Sequence, residues 1–188
     1  MLTFEKQSTI FHIKYSILNP LIVLETSRLL LRRFTEADAP LVYRLNSDPE
    51  VLQYLHEPLL TDEAHAQKII REIILPQYRQ QLGRWAVHTK EDGEFIGWCG
   101  LKYRPELDEI DLGYRFRKAS WGKGYATESS GRVLEFGFHE LRLPAITGRA
   151  HVENIASIKV LEKIGMQYVK DEVVDDCPVK TYIAHNRY

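Results

Sequence analysis

Trp121-Gly122-Lys123-Gly124-Tyr125-Ala126-Thr127 brings together residue types suited to holding an anion. Glycines at 122 and 124 let successive backbone N–H groups converge on one point and let an oxygen come close to the chain. The stretch follows the strand-like Ile110–Phe116 and opens a helix-like run from Tyr125 to Leu141. The positive end of that helix dipole adds to the field, and Lys123 adds a formal charge. The chemistry is that of phosphate binding. An ordinary helix entry with two turn glycines has the same local signature, so the surrounding elements must decide.

Those elements read as one α/β domain. Leu24–Phe34 reads as a strand with a buried centre. Thr35-Glu36-Ala37-Asp38 resembles a capping box opening a helix to about Asn46, with Ala39, Leu41, Val42 and Leu45 on its apolar face. After a turn at 47–50, Thr61 stands where a second helix should be capped. Ile69, Ile70, Ile73 and Ile74 supply its buried stripe, and Pro76 should kink or end it. Strands at 84–88 and 95–101 flank the hairpin turn Asp92-Gly93, and the strand through Tyr114 completes a meander. Then come helix 125–141, strand 145–151, helix 154–164 closed by Gly165, and two terminal strands. The expected fold is a single mixed, mostly antiparallel sheet with about four helices, over residues 21–188. Residues 1–20 read as a leader of mixed character.

Composition narrows the function. The chain has 188 residues, 44% of them hydrophobic, and a formal net charge of −1, which suits one globular domain. Lysines and arginines are dispersed rather than striped, which argues against a nucleic-acid partner. The N-terminal stretch is interrupted by charges and offers neither a signal-peptide core nor a membrane span. Seven histidines lack metal-ligand spacing, so no metal is expected. Two cysteines, Cys99 and Cys177, suit reduced thiols and a cytoplasmic location.

The order of elements, with an anion loop after the meander, resembles the GCN5-related N-acetyltransferase (GNAT) family. Gly124 and Ala126 fit its pyrophosphate loop. Trp121 replaces the usual Gln or Arg, as is typical of the RimJ/RimL-like branch that acetylates ribosomal-protein N-termini. That branch's LETxRLLLRxF opening appears as Leu24–Phe34. Its N-x-x-S-x-x-V-L-E-K-x-G-[FM] signature appears from Asn154 through Ser157 to Gly165-Met166. The resemblance implies acetyl-CoA as cosubstrate and a primary amine, a protein N-terminus or a small amine, as acceptor. It places the pantetheine arm between splayed fourth and fifth strands, here 110–116 and 145–151. Backbone groups of Tyr114, Arg115 and Phe116 would bond its amides, and Asn154 would join them. Amides from Gly122, Lys123, Gly124, Tyr125, Ala126 and Thr127 would hold the pyrophosphate. Homodimers are common in the branch, so the resemblance includes that assembly.

Acetyl transfer also needs a base, an acid and a polarising donor. A backbone N–H near Tyr114–Phe116 would polarise the thioester. The family's usual acid, a tyrosine, is replaced by Leu161, and the RimL-like resemblance points instead to Ser157. For the base it points to Asp111, three residues before Tyr114. Alternation puts Asp111 and Gly113 on one face and Leu112 and Tyr114 on the other. A solvated edge carboxylate is the plain alternative for Asp111, and a first-turn helix serine for Ser157. His151 is a further base candidate. The acceptor side would draw on Tyr43, Tyr54, His56, Trp85, Trp98 and Tyr103. The competing reading is a non-catalytic acyl-CoA-binding regulatory module, which Leu161 keeps open. A dinucleotide-binding loop fails because Thr127 stands at the third glycine and no βαβ unit precedes it.

Overall fold

The computed structural model describes residues 21–187. The leader assigned to residues 1–20 lies outside them. Eight strands form one sheet in the order β1-β2-β3-β4-β5-β6-β8-β7. They are β1 (Ile22–Glu25), β2 (Leu29–Arg33), β3 (Gly83–Thr89), β4 (Phe95–Arg104), β5 (Glu109–Phe116), β6 (Ala145–His151), β7 (Gln167–Val174) and β8 (Cys177–His185). Every neighbouring pair is antiparallel except β5–β6. The helices are α1 (Ala39–Asn46), α2 (Pro49–Leu52), α3 (Glu63–Ile69), α4 (Tyr125–His139) and α5 (Ile155–Lys163).

The expected first strand, 24–34, is instead a hairpin. Thr26 closes it: its amide donates to Leu29 O at 3.0 Å, and its hydroxyl accepts from Leu29 N at 2.9 Å. An apolar stretch cannot announce such a reversal when a threonine side chain makes the turn. The second helix is capped by Asp62, whose carboxylate accepts from His65 N at 2.7 Å, rather than by Thr61 one residue earlier. Residues 47–50, read as a turn, open the short helix α2 on an Asp48 cap. Pro76 does not end α3. The chain runs through a π-turn at Ile70–Ile74 into a short helical turn, Leu75–Gln77. Leu75 N donates to Ile70 O across the π-turn, and Pro76 takes a first-turn position in the segment that follows, where its missing amide is tolerated. It buries Ile70 and Ile74 and leaves Ile73 45% exposed, outside the expected stripe.

Period-2 alternation divides the sheet's side chains between two cores. On one face Leu31, Trp85, Val87, Cys99, Leu101 and Leu112 pack with Val133, Leu134 and Phe136 of α4 and Leu161 of α5. On the other, Phe34, Ala86 and Phe95 pack with Val42 and Leu45 of α1 and with Ala66 and Ile70. Gly165, at φ 85°, closes α5: Met166 N donates to Leu161 O and Gly165 N to Glu162 O. Cys99 and Cys177 are unpaired buried thiols, and burial pushes Cys99 up to about 11. No described helix is long and apolar enough to cross a membrane.

Candidate functional site

The site begins where β5 and β6 part. Their parallel pairing covers only Asp111↔Thr147 and Leu112↔Gly148. Beyond it, β5 stays paired with β4 through Phe116↔Gly97 while its other edge is open. Arg117 N donates to Ile96 O at 2.9 Å, and Arg115 O lies against Gly97, so these residues aim their backbone at β4. Alternation then turns the backbone groups of Tyr114 and Phe116 toward the gap. One of these is already met: Trp121 Nε1 donates to Phe116 O at 2.8 Å. An unpaired strand edge next to a wedge-shaped gap suits an amide-bearing chain lying in as an extra strand.

At the far end of β5 stands the glycine loop. Gly122 and Gly124 have φ 73° and 81°, conformations that side chains resist, and Gly124 is the N-cap of α4. No N–H of Gly122, Lys123 or Gly124 donates to a described residue, and Tyr125, Ala126 and Thr127 occupy the first helical positions, which lack an i−4 acceptor. Lys123 is exposed beside them. The β1–β2 turn buttresses this loop. Glu128, in the first turn of α4, accepts from Thr26 Oγ1 at 2.6 Å, Ser27 Oγ at 3.0 Å and Arg28 N at 3.0 Å. Arg28 pairs with Glu128 at 2.6 Å, donates to Lys123 O at 3.1 Å and lies over the Tyr125 ring.

At the mouth of the gap, Asn154 caps α5 by accepting from Ser157 N at 3.0 Å through Oδ1, and its Nδ2 donates to no described residue. Tyr114 OH donates to Ser157 O at 3.1 Å, and burial pushes that phenol well above its ordinary range. Ser157 is thus held by its backbone at both ends, while its hydroxyl has no partner among the described residues. Leu161 is fully buried in the core and has no acid–base role.

Asp111 lies on the opposite face from Tyr114, as alternation requires. Burial pushes its carboxyl above the usual range, although Arg149, Arg104 and Lys102 all favour its charged form. Arg149 holds Asp111 Oδ1 at 3.1 Å and Glu109 at 2.5 Å, and stands 3.5 Å from Glu172. Sequence reasoning missed this clamp, because Arg149 sits mid-strand with no local signal. His151 lies at the end of β6, its Nδ1 accepting from Glu153 N at 3.1 Å and its ring 5.4 Å from that of Tyr54. Of the aromatics expected at the acceptor side, Trp98 lies on the same sheet face as Asp111, with Arg84 and Arg115 packed on its ring. Trp85 is core, edge-on to Phe136, and Tyr103 bonds Asp108 at the β4–β5 turn. Tyr43 packs into the core under α1, and His56 is exposed. Among the described residues no group of three or more His, Cys, Asp or Glu is placed to hold a metal ion.

A family model described as "Acetyltransferase (GNAT) domain" matches residues 28–167. The uncharacterised N-acetyltransferase p20 of Bacillus licheniformis is 34% identical over 145 residues, covering 77% of this chain and 82% of its own length. Among solved structures, an acetyltransferase of the GNAT family from Bacillus anthracis aligns with a TM-score of 0.74 at 26% identity, covering 88% of this chain and 99% of that one. RimL, the ribosomal L7/L12 alpha-N-protein acetyltransferase in complex with coenzyme A, shares the fold with a TM-score of 0.75 at 18% identity, over 87% and 97% of the two chains.

Proposed function

The chain belongs to the GNAT acetyltransferase family and uses acetyl-CoA, and we propose that it moves the acetyl group directly to a primary amine held on the Asp111 face of the sheet. The observation that carries this reading is the open β5 edge running from beyond Leu112 to the glycine loop at the head of α4. Acetyl-CoA supplies an activated thioester whose thiolate leaves as the amide forms. The amides of Gly122 through Thr127 receive the pyrophosphate, with Lys123 adding charge. Tyr114 and Phe116 offer backbone groups to the pantetheine arm, and Asn154 Nδ2 donates to it. Arg115 N and O serve the β4 pairing, so this residue contributes its side chain to the acceptor side instead.

A β5 amide facing the gap polarises the thioester oxygen as negative charge grows on it. Asp111, its carboxyl mostly withdrawn from solvent, takes the amine's proton directly or through one water. Ser157 offers its hydroxyl proton to the departing sulfur. The N–C bond forms and the C–S bond breaks; the amine's proton goes to Asp111, the Ser157 proton goes to the thiolate, and the Asp111 proton returns to Ser157 through solvent, so the products are amide and thiol with both side chains restored. The acceptor is a protein N-terminus or a small amine. The Trp121 loop and the Asn154–Met166 signature support a RimJ/RimL-like place within the family and, with it, cytoplasmic work.

Release of coenzyme A thiol across a panel of peptides with free N-termini, aminoglycosides and polyamines tests this. Turnover with mass-verified N-acetylation of at least one class is expected. Tight acetyl-CoA binding with no transfer to any amine would overturn it.

A further inference from the structure

The acceptor face carries five cationic side chains, and one is unlike the rest. Arg115 pairs with Glu57 at 2.9 Å and also bonds Asn46; Arg149 is ringed by Glu109, Asp111 and Glu172. Arg104 pairs with Asp175 at 2.5 Å, and Lys102 stands opposite Asp111 in register, near enough to favour that carboxylate's charge. Arg84, on β3, has no hydrogen bond and no ion pair from its guanidinium to any described residue. Its one contact of note is the Trp98 ring, whose centroid lies 4.9 Å away. Burial, and then Arg115, push Arg84 below the ordinary arginine range, opposed by Glu57, Asp111 and Tyr78. Arginine does not give up its proton at physiological pH, so this half-buried charge persists, favoured by Glu57 and Asp111 but with no carboxylate bonded to it.

The sheet register shows what lies between Arg84 and the reaction centre. Arg84 pairs with Gly100, and Gly100 pairs with Gly113 on β5. This row carries no side chain across two strand spacings, roughly 10 Å. The row is nonetheless narrow: a Cβ on Gly100 would run into the Gly83 carbonyl, and one on Gly113 would lie 3.2 Å from two atoms of the Trp98 ring. One row further along β5, about 7 Å away, stands Asp111. The face therefore has an acid-rich end around Asp111 and, across a side-chain-free row flanked by Trp98, a guanidinium with no hydrogen bond or ion pair among the described residues.

We propose that the acceptor amine carries a carboxylate, bound end-on by Arg84 beside Trp98, with its amine delivered to Asp111. This deepens the acetyl-transfer reading and rests on it. A planar guanidinium fork with no carboxylate seated on it matches a carboxylate bidentately, and its single charge suits a monoanion better than a phosphate dianion. Arg84 is a specificity-determining residue here, not part of the chemical step.

The test compares matched acceptors that differ in one group: amino acids and short peptides with a free C-terminal carboxylate, their amidated forms, and an aminoalkyl phosphate. For the wild type, kcat/KM should favour the carboxylate over the amide by about tenfold or more, as for a charge-assisted pair. Arg84→Gln should bring the two together by slowing only the carboxylate form, and Arg84→Lys should keep part of the preference. Acetyl-CoA affinity, titrated separately, should be unchanged in both variants. Equal wild-type rates, a preference for the phosphate, an equal loss on both acceptors in Arg84→Gln, or no transfer to any member would each overturn the proposal. Loss of acetyl-CoA binding by the wild type would instead strike the acetyl-transfer reading beneath it.

Discussion

Arg28 and Glu128 meet in a two-point ion pair, Nε–Oε2 2.7 Å and Nη2–Oε2 2.6 Å, with 100 residues of separation along the chain. The pair ties the β1–β2 turn to the first turn of α4, where the amides proposed for the pyrophosphate emerge. Half of the Arg28 side chain is exposed, so its charge alone contributes about 1 kcal/mol or less. Glu128 accepts three further bonds, from Thr26 Oγ1, Ser27 Oγ and Arg28 N, and removing it leaves their donors unmet. Glu128→Ala should destabilise the fold by about 1–3 kcal/mol and raise KM for acetyl-CoA severalfold. Thermal melts with and without acetyl-CoA check this.

The same carboxylate sets a pH response. Burial opposes its charge, but bonds from Thr26, Arg28 and Ser27 outweigh that and hold its pKa below the ordinary value. A depressed carboxylate contributes stability that is complete above its unfolded pKa, about 4.3, and is lost as pH falls through the folded value. Melting temperature should therefore fall more steeply below about pH 4 in the wild type than in Glu128→Gln. Parallel curves for the two proteins would contradict it.

Trp121→Phe keeps the ring and removes the donor to Phe116 O. The orphaned carbonyl should weaken acetyl-CoA binding or fold stability by about 1 kcal/mol, near a fivefold change in affinity. Because Trp121 is 43% exposed, most of the effect should appear in acetyl-CoA KM rather than in melting temperature.

Asp111→Asn should lower kcat by about 10²–10⁴ if Asp111 is the base. Its pKa lies above the usual aspartate range, so the active carboxylate builds up only as pH rises past that range. The acid limb of kcat/KM should sit correspondingly high in the wild type and vanish in Asp111→Asn. An unchanged limb would return the role to His151 or to solvent.

Ser157→Ala separates chemistry from architecture. The Asn154 cap and the Tyr114 bond both use Ser157 backbone atoms, so the fold should hold within about 0.5 kcal/mol. A fall in kcat with KM for acetyl-CoA unchanged is expected, and wild-type kcat would remove the acid assignment.

The sequence made local features legible and cross-chain ones opaque. Gly122, Gly124 and Gly165 were readable because backbone conformation is written in single residues. The opposite faces of Asp111 and Tyr114 followed from alternation alone. The Arg149 clamp and the unpaired Arg84 were not readable, because each depends on strands brought together from distant positions; the Trp121–Phe116 bond is local, but it depends on how the chain between the two residues turns back. The hairpin at Thr26 and the π-turn before Pro76 escaped for a subtler reason. A side-chain-closed turn and a register change both leave an apolar run looking continuous.

In the proposed complex the Gly122–Thr127 amides hold the pyrophosphate of acetyl-CoA at the end of the open β5 edge. Calorimetric titration of acetyl-CoA into the wild type and Gly124→Asp tests it most directly. Gly124 has φ 81° at the helix N-cap, so the aspartate adds backbone strain of about 1 kcal/mol and sets a negative charge where the phosphates should lie. Affinity should fall by at least about a hundredfold while the variant remains folded by circular dichroism. Wild-type affinity in the folded variant would contradict the account.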